Sequence, residues 1–354
     1  MATPFQGRFT AGMVDLVVRG AGVTGLACAY LAARRGARVA VADPRGVAAG
    51  ASGGVVGALS PHVPENWNAA KAFQLRALLD ARTFWPEVEA ASGLSTGYVR
   101  AGRLQPLADA AAVARARERA AGAAAHWGDA ATWEVVPAPE DWGPASPTGL
   151  AVRDTLAAHL HPRRACEALA AAVRALGGSV GTEAPDGPPV IEATGWEGLR
   201  ALGAGGGQKG QGALLAFAAA GAPQVFAGGL HVVPHLDGTV GVGSTSEGEW
   251  SDLGTDDALE AVIARARAAV PALADAPVLE RWAGIRPRAR TRAAVVGRAP
   301  SGVVIANGGF KIGFGVAPEV ARLAVDLALE GLDAVPEGMR LEDALSSPST
   351  EGTR

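Results

Sequence analysis

Cysteine is nearly absent: Cys28 and Cys166 are the only two in 354 residues. That excludes a disulfide framework and any multi-cysteine metal site, and it suits a reducing compartment. No metal is expected. Tyrosine is as scarce, at Tyr30 and Tyr98, which excludes a pocket built on several phenolic hydroxyls. A basic excess is missing too. The formal net charge is −3, whereas a surface built on phosphate neutralisation carries clustered positive charge, so no nucleic-acid partner is expected. No apolar run reaches the ~20 residues of a membrane span; the stretch from Met13 is broken by Asp15, Arg19 and several glycines. The opening MATPFQGRFTAG lacks the basic-then-apolar order of a signal peptide, and a cytoplasmic location is expected.

Apolar residues, by contrast, are plentiful. They make up 49% of the chain against 19% charged, enough to build a core, and the length fits about two domains of ~150 residues each. The stretch VDLVVRGAGVTGLACAYLAARRGARVAVAD (14–43) reads as strand, glycine turn, helix and strand. Gly20, Gly22 and Gly25 form GxGxxG where the strand must turn into the helix. The first glycine allows the tight turn, the second lets backbone approach a pyrophosphate, and the third allows close helix–strand packing. The helix N-terminus adds donors and a favourable dipole. Asp43 closes the second strand 18 residues beyond Gly25, where a carboxylate accepts ribose hydroxyls. A dinucleotide site is expected; FAD and NAD share this fingerprint.

Four further segments carry a family resemblance. They are GVAAGASGGVVGALSPHVPENW (46–67), PVIEATGWEGLRAL (189–202), LHVVPHLDGTVGVGSTSE (230–247) and the block from RWAGIRPRARTR to VARLAVDLAL (281–329). In this order they resemble the D-amino-acid oxidase-like FAD-dependent oxidoreductases, most closely glycine oxidase and similar deaminating enzymes, with sarcosine oxidases more distant. The resemblance implies an α/β protein, α+β overall. A Rossmann-type FAD-binding domain would take 1–80, 150–205 and 285–337, and an antiparallel-sheet substrate domain 81–149 and 206–284. A polar tail would occupy 338–354. The short, Pro- and Gly-rich stretch after the helix at 161–176 implies that the family's small sheet is trimmed there.

The same resemblance implies the site. Cofactor contacts would come from Gly20, Gly22, Val23, Thr24 and Gly25, from Asp43, Pro44 and Arg45, and from Ala51, Ser52, Gly57, Ala58 and Leu59. Val180 would lie near the adenine, and Thr194 and Gly195 against the cofactor. Gly284, Arg286, Gly308, Gly309, Phe310, Lys311, Ile312 and Gly313 would surround the flavin. Where the family more often has Gly-His-Phe, this chain has Gly308, Gly309 and Phe310. No attachment residue matches, so the FAD would be held non-covalently.

The implied activity is removal of hydride from the α-carbon of a small amino acid or amine to flavin N5, giving an imine that hydrolyses. Oxygen or a quinone would reoxidise the cofactor. Such chemistry needs a carboxylate anchor, and the planar arginine fork suits it. Of five arginines in RWAGIRPRARTR, Arg286 matches the family's anchor. Pro287 biases it towards extended backbone. Arg281, Arg288, Arg290 and Arg292 read as solvated or paired, with a second anchor for a dicarboxylate or bulkier acid as the alternative for Arg288. Lys311 falls where relatives place a basic residue near the ring, useful for reduced-flavin charge or oxygen activation. His62, directly after the second loop, is a further catalytic candidate. His231 and His235 share a strand face by period two, which suits either the lining of a cavity or the cap of a sheet surface, the sheet surface being the plainer reading for both.

Two alternatives share these motifs: a tRNA-modifying flavoenzyme that removes an N-carboxymethyl group, and a flavin-binding protein without turnover. Elsewhere, Asp237-Gly238 predicts a two-residue hairpin turn. Thr255 predicts a helix N-cap, followed by a stripe of Leu259, Val262, Ile263, Ala266 and Val270. Cys166, Leu169, Val173 and Leu176 predict a buried helix face, and a helix is expected to begin near Pro318. An oligomer is compatible with all of this.

Overall fold

The computed structural model describes residues 14–348. The chain opens with β1 (Leu16–Arg19), α1 (Val23–Arg34), β2 (Val39–Ala42) and β3 (Ala58–Leu59). Next come α2 (Ala69–Ser92), β4 (Arg103–Pro106), α3 (Ala110–Trp127), β5 (Trp133–Pro137), β6 (Leu150–Asp154) and β7 (Ala158–His159). The middle holds α4 (Pro162–Ala175), β8 (Ser179–Gly181), β9 (Val190–Glu192), α5 (Gly195–Ala201) and β10 (Gly205–Ala216). Then follow β11 (Gln224–Ala227), β12 (Leu230–Pro234), β13 (Thr239–Gly243), α6 (Asp257–Ala269) and β14 (Val278–Ala289). The chain closes with β15 (Val295–Arg298), β16 (Val304–Asn307), α7 (Gly313–Val325) and α8 (Leu341–Ser346).

Two large sheets organise these elements. One has the order β15-β16-β9-β1-β2-β8 and is parallel except for its edge strand β15. Its central strands are buried on both faces, as a parallel sheet flanked by helices requires: Leu16, Val18, Val41 and Ile191 are fully buried beneath α1, α4 and α7. The other sheet has the order β14-β10-β13-β12-β11-β4-β6-β5 and is antiparallel except where β11 meets β4. The predicted stripe of α6 covers one face of it, with Leu259, Val262, Ile263 and Ala266 packed on Leu215, Val232 and Val242.

Several expectations shift. Asp256, not Thr255, caps α6 by accepting from Ala258 N. The β12–β13 turn is a three-residue loop, because His235 N donates to Thr239 O and Gly238 takes a φ of +83°, a left-handed geometry that glycine adopts without strain. Cys166, Leu169 and Val173 are buried on α4, whereas Leu176 lies past its end and is exposed. Helix α7 starts at Gly313 and carries Pro318 inside. Residues 338–348 are no loose tail: Leu341 and Ala344 of α8 are buried against Val295 and Ile305.

The expected domain boundaries at 150 and 285 assign β6 and the end of β14 to the cofactor half. Both pair within the eight-stranded sheet. The boundary at 80 cuts α2, whose Phe73, Leu78 and Trp85 share one core with the six-stranded sheet. We therefore propose a discontinuous division that follows the sheets, with β1, β2, β8, β9, β15 and β16 in the cofactor half. Residues 1–13 and 349–354 of the expected ranges lie outside the described residues.

Candidate active site

In the six-stranded sheet β1 has β2 on one side and β9 on the other. Chain order reverses there, and in such sheets the crevice beyond the carboxyl ends of the strands is the usual ligand site. A cleft of about 1380 Å³ opens at that place. It exceeds the ~300–1,000 Å³ of a drug-sized pocket and is long enough in its lining to run from one sheet to the other. Arg19 at the end of β1 and Gly20 after it, Asp43 after β2, Thr194 after β9 and Asn307 at the end of β16 line one end; Arg286 on β14 and His231 on β12 line the other.

The glycine turn fits a dinucleotide. Gly20 has φ +103° and a Cβ there would collide with Ala193 O. Gly22 faces the cleft, and a Cβ on Gly25 would strike Gly20 O, so the third glycine serves packing and does not line the cleft. Asp43 accepts from Ala21 N (3.0 Å) and Arg45 N (3.0 Å), which fixes its carboxylate at the cleft with lone pairs left for hydroxyl donors. Arg45 pairs with Glu197 at 2.7 Å, and both line the cleft.

The loop 51–55 is tied down from three sides. Ser52 Oγ accepts from Val23 N at 3.0 Å, joining it to the first turn of α1. Arg163 of α4 donates from Nε to Gly53 O at 2.7 Å while forking onto Glu280. His235 Nε2 lies 3.1 Å from Val55 O. Asn307 links two more cleft loops, donating from Nδ2 to Gly195 O (2.8 Å) and accepting from Gly308 N (2.9 Å).

At the far end, β10 and β14 pair with Gly210 opposite Gly284. The two glycines leave a bare patch of sheet. Trp282 lies across Gly284, and the Arg286 guanidinium lies flat over Gly210. Arg286 donates to Ser244 Oγ and to Thr245 O (3.3 Å). It has no carboxylate partner within salt-bridge distance among the described residues. Burial pulls its pKa down, opposed by Glu247, yet an arginine stays charged. A desolvated, unmatched guanidinium is costly unless a ligand supplies the anion.

Lys311 also faces the cleft, with a pKa lowered by burial and then by Arg286 and Arg288. His231 stands nearby, its ring 4.7 Å from that of Phe226. Burial, Arg103 and Lys311 push its pKa down to about 3, so it is neutral. Gln224 donates from Nε2 to Ala158 O (2.7 Å) and accepts from Ser60 Oγ at Oε1. That oxygen faces His231 Nδ1 at 3.3 Å, so Nδ1 carries the proton and Nε2 the lone pair.

Most of the anticipated residues meet in this cleft: Gly20, Gly22, Val23, Thr24, Asp43, Pro44, Arg45, Ala51, Ser52, Ala58, Thr194 and Gly195 at one end, and Gly284, Arg286, Gly308, Gly309, Phe310, Lys311 and Gly313 at the other. Others do not. Gly57 is packed on Leu160 O, Leu59 is core, and Ile312 packs against the core as the residue capping α7. Val180 pairs with Val41 inside the sheet, and the cleft is reached by Thr182, Glu183, Ala184 and Pro185 beyond it. His62 is turned towards α2, its N donating to Gln74 Oε1 at 2.8 Å, and lies away from the cleft. Ser244, Asn307, Phe226, Trp196 and Trp250 line the cleft unanticipated; each is a single residue without a local pattern. His231 belongs to the wall, not to a filled sheet surface.

The family profile described as FAD dependent oxidoreductase (DAO) matches residues 15–327. A glycine oxidase of Bacillus subtilis is 33% identical over 102 residues, 28% of this chain and 28% of that protein. The aligned stretch thus spans little more than a quarter of the relative's length. The structure of a glycine oxidase from Geobacillus kaustophilus superposes with a TM-score of 0.79 at 19% identity, covering 91% of this chain and 95% of that one. An iminodiacetate oxidase from Chelativorans sp. BNC1 superposes equally well, with a TM-score of 0.79 at 22% identity over 92% of this chain and 98% of that one. At these identities the structural likeness is one of fold. Among the described residues no helix is long and apolar enough to cross a membrane.

Proposed function

Since the chain belongs to the family of FAD dependent oxidoreductases, we propose that it oxidises the Cα–N bond of a small amino acid or secondary amine with a non-covalently held FAD. The names of the similar proteins, glycine oxidase and iminodiacetate oxidase, point the same way. One observation carries the reading: Arg286, without a carboxylate partner among the described residues, sits in the wall of a cleft whose other end is a dinucleotide turn.

Gly20, Gly22, Val23 and Ser52 would hold the pyrophosphate, Asp43 the ribose hydroxyls, and Gly308, Gly309 and Phe310 the ring system. The FAD would supply the two-electron acceptor that takes hydride from Cα. Arg286 would grip the substrate carboxylate with its planar fork, and Ser244 and Thr245 O would fix that fork in place. Orientation of this kind is what converts a bound amine into a reactive one. His231, neutral with its Nε2 lone pair free, would accept a hydrogen bond from the substrate amine. The product imine then adds water and releases ammonia or an amine.

The test is direct. Purified protein should carry FAD that is released intact on denaturation, and an amine panel of glycine, sarcosine and D- and L-amino acids should bleach it anaerobically. Colourless protein, or a flavin that no amine reduces, contradicts the proposal.

A further inference from the structure

Among the described residues Arg286 is not the only cation without a counter-charge at its end of the cleft. Arg286 and Arg288 are two residues apart on β14 and so share a face. The loop after β16 is pinned beside them: Phe310 N donates to Pro287 O at 3.1 Å, and Arg288 bridges to Gly309. This places the Phe310 ring near two further cations. Arg288 Cζ lies 5.8 Å and Lys311 Nζ 5.5 Å from its centroid. Among the described residues neither side chain has a hydrogen-bond acceptor or an ion-pair partner within bonding distance.

The neighbouring acids are already engaged. Glu247 faces Lys209 Nζ at 3.6 Å and accepts from Gln211 Nε2 at 3.0 Å and from Thr245 Oγ1. Asp252 faces the same lysine at 3.8 Å. Other arginines of the same stretch are discharged locally: Arg281 pairs with Glu260 at 2.7 Å, and Arg290 donates to the carbonyls of Leu345 and Ser347. Two cations that line the cleft, Arg286 and Lys311, with Arg288 beside them at the Phe310 ring and none of the three paired with an acid among the described residues, therefore form a specific feature of the site. Like charges in a partly desolvated cleft repel one another; the Lys311 pKa is lowered first by burial and then by Arg286 and Arg288. A single carboxylate on Arg286 would leave two of the three unmatched.

The geometry points to a substrate with two acidic groups: an amino dicarboxylate whose first carboxylate sits on Arg286 and whose second meets Lys311, with Arg288 beside the same Phe310 ring. This rests on the assignment of Arg286 as the anchor and extends it to the substrate class.

The experiment compares an inert pair of equal length, succinate and butyrate, binding to the FAD-loaded protein, read as perturbation of the flavin absorbance. It is paired with anaerobic flavin reduction by aspartate and by alanine. Succinate should bind about tenfold or more tighter than butyrate, the scale of one added charged hydrogen bond, and aspartate should reduce the flavin at lower concentration than alanine. Lys311→Ala should collapse the succinate-to-butyrate ratio towards one, and Arg288→Ala should lower it. Equal affinity for the two acids in the wild type, or a ratio untouched in Lys311→Ala, overturns the dicarboxylate assignment while leaving the amine oxidation reading intact. Failure of every acid and every amine to perturb the flavin, with Arg286→Ala indistinguishable from wild type, overturns both.

Discussion

Gly210→Ala separates the anchor from the fold. Gly210 is buried in β10, its backbone is extended and not left-handed, and it pairs with Gly284. A Cβ built on it would lie under 3.0 Å from Cζ, Nη1 and Nη2 of Arg286 and meets no other atom so closely. The strand can accept alanine, and replacing glycine at a compatible position stabilises by ~0.4–1 kcal/mol through the unfolded chain. The guanidinium must instead lift away from the sheet and off Ser244 and Thr245 O. Charged hydrogen bonds are worth about 1.5–3 kcal/mol each, so losing one lowers efficiency by about 10- to 150-fold. Misplacement by ~1 Å in the aligned complex costs about 100-fold on its own. Amine oxidation should therefore fall by one to two decades in kcat/KM while the melting temperature holds or rises. Gly206→Ala on the same strand face, where a Cβ meets nothing within 4 Å, is the neutral control. Wild-type efficiency in Gly210→Ala would refute the idea that this bare patch seats the anchor, and a lowered melting temperature would assign the glycine to packing.

Acid should destabilise the protein well above the carboxylate range. His159, His161 and His231 are held neutral by burial, with pKa values lowered from 6.5 to about 3, 4 and 3. The unfolded chain binds more protons between pH 6.5 and 4, so their stabilisation is complete above 6.5 and is lost as pH falls. Each contributes up to ~1.4 kcal/mol per pH unit, and denaturant midpoints at pH 7 and pH 5 will show it; equal midpoints would contradict the account. Gly20→Ala should reduce FAD retention and stability, since a left-handed non-glycine residue costs roughly 1–2 kcal/mol before the collision with Ala193 O. The check is flavin-to-protein ratio after gel filtration. Asp154→Ala should cost about 3–5 kcal/mol in chemical denaturation, because it strands the buried Arg103 that now bonds Asp154 Oδ2 at 2.7 Å.

The parts of this molecule written in local pattern were legible in its sequence. The turn from β1 to α1 and the acid after β2 follow from a short apolar run, three spaced glycines and a closing carboxylate, all within thirty residues. The buried faces of α4 and α6 follow from helical spacing. What could not be read depended on contacts between distant segments. His62 follows a cofactor loop in sequence, but its backbone is captured by Gln74 of α2. His231 looked like a sheet residue until β11, β12 and the loop at Lys311 were brought together. The packing of α8 rests on two small apolar contacts inside a polar stretch. Ser244 and Asn307 act singly, and no periodicity marks them. Even the arginine-rich stretch separates by partner and not by composition: Arg281 and Arg290 are satisfied locally, whereas Arg286 lines the cleft without an acid partner among the described residues.

The central claim is that Arg286 holds a substrate carboxylate for oxidation of the neighbouring Cα–N bond. Anaerobic reduction of the flavin by the best amino acid of the panel, followed by stopped-flow in wild type and in Arg286→Ala, tests it most directly. The account predicts rapid bleaching in the wild type and a loss of about two decades or more in the variant's reduction rate over substrate affinity, with flavin content and melting temperature maintained. Unchanged reduction of that amino acid by Arg286→Ala would contradict it.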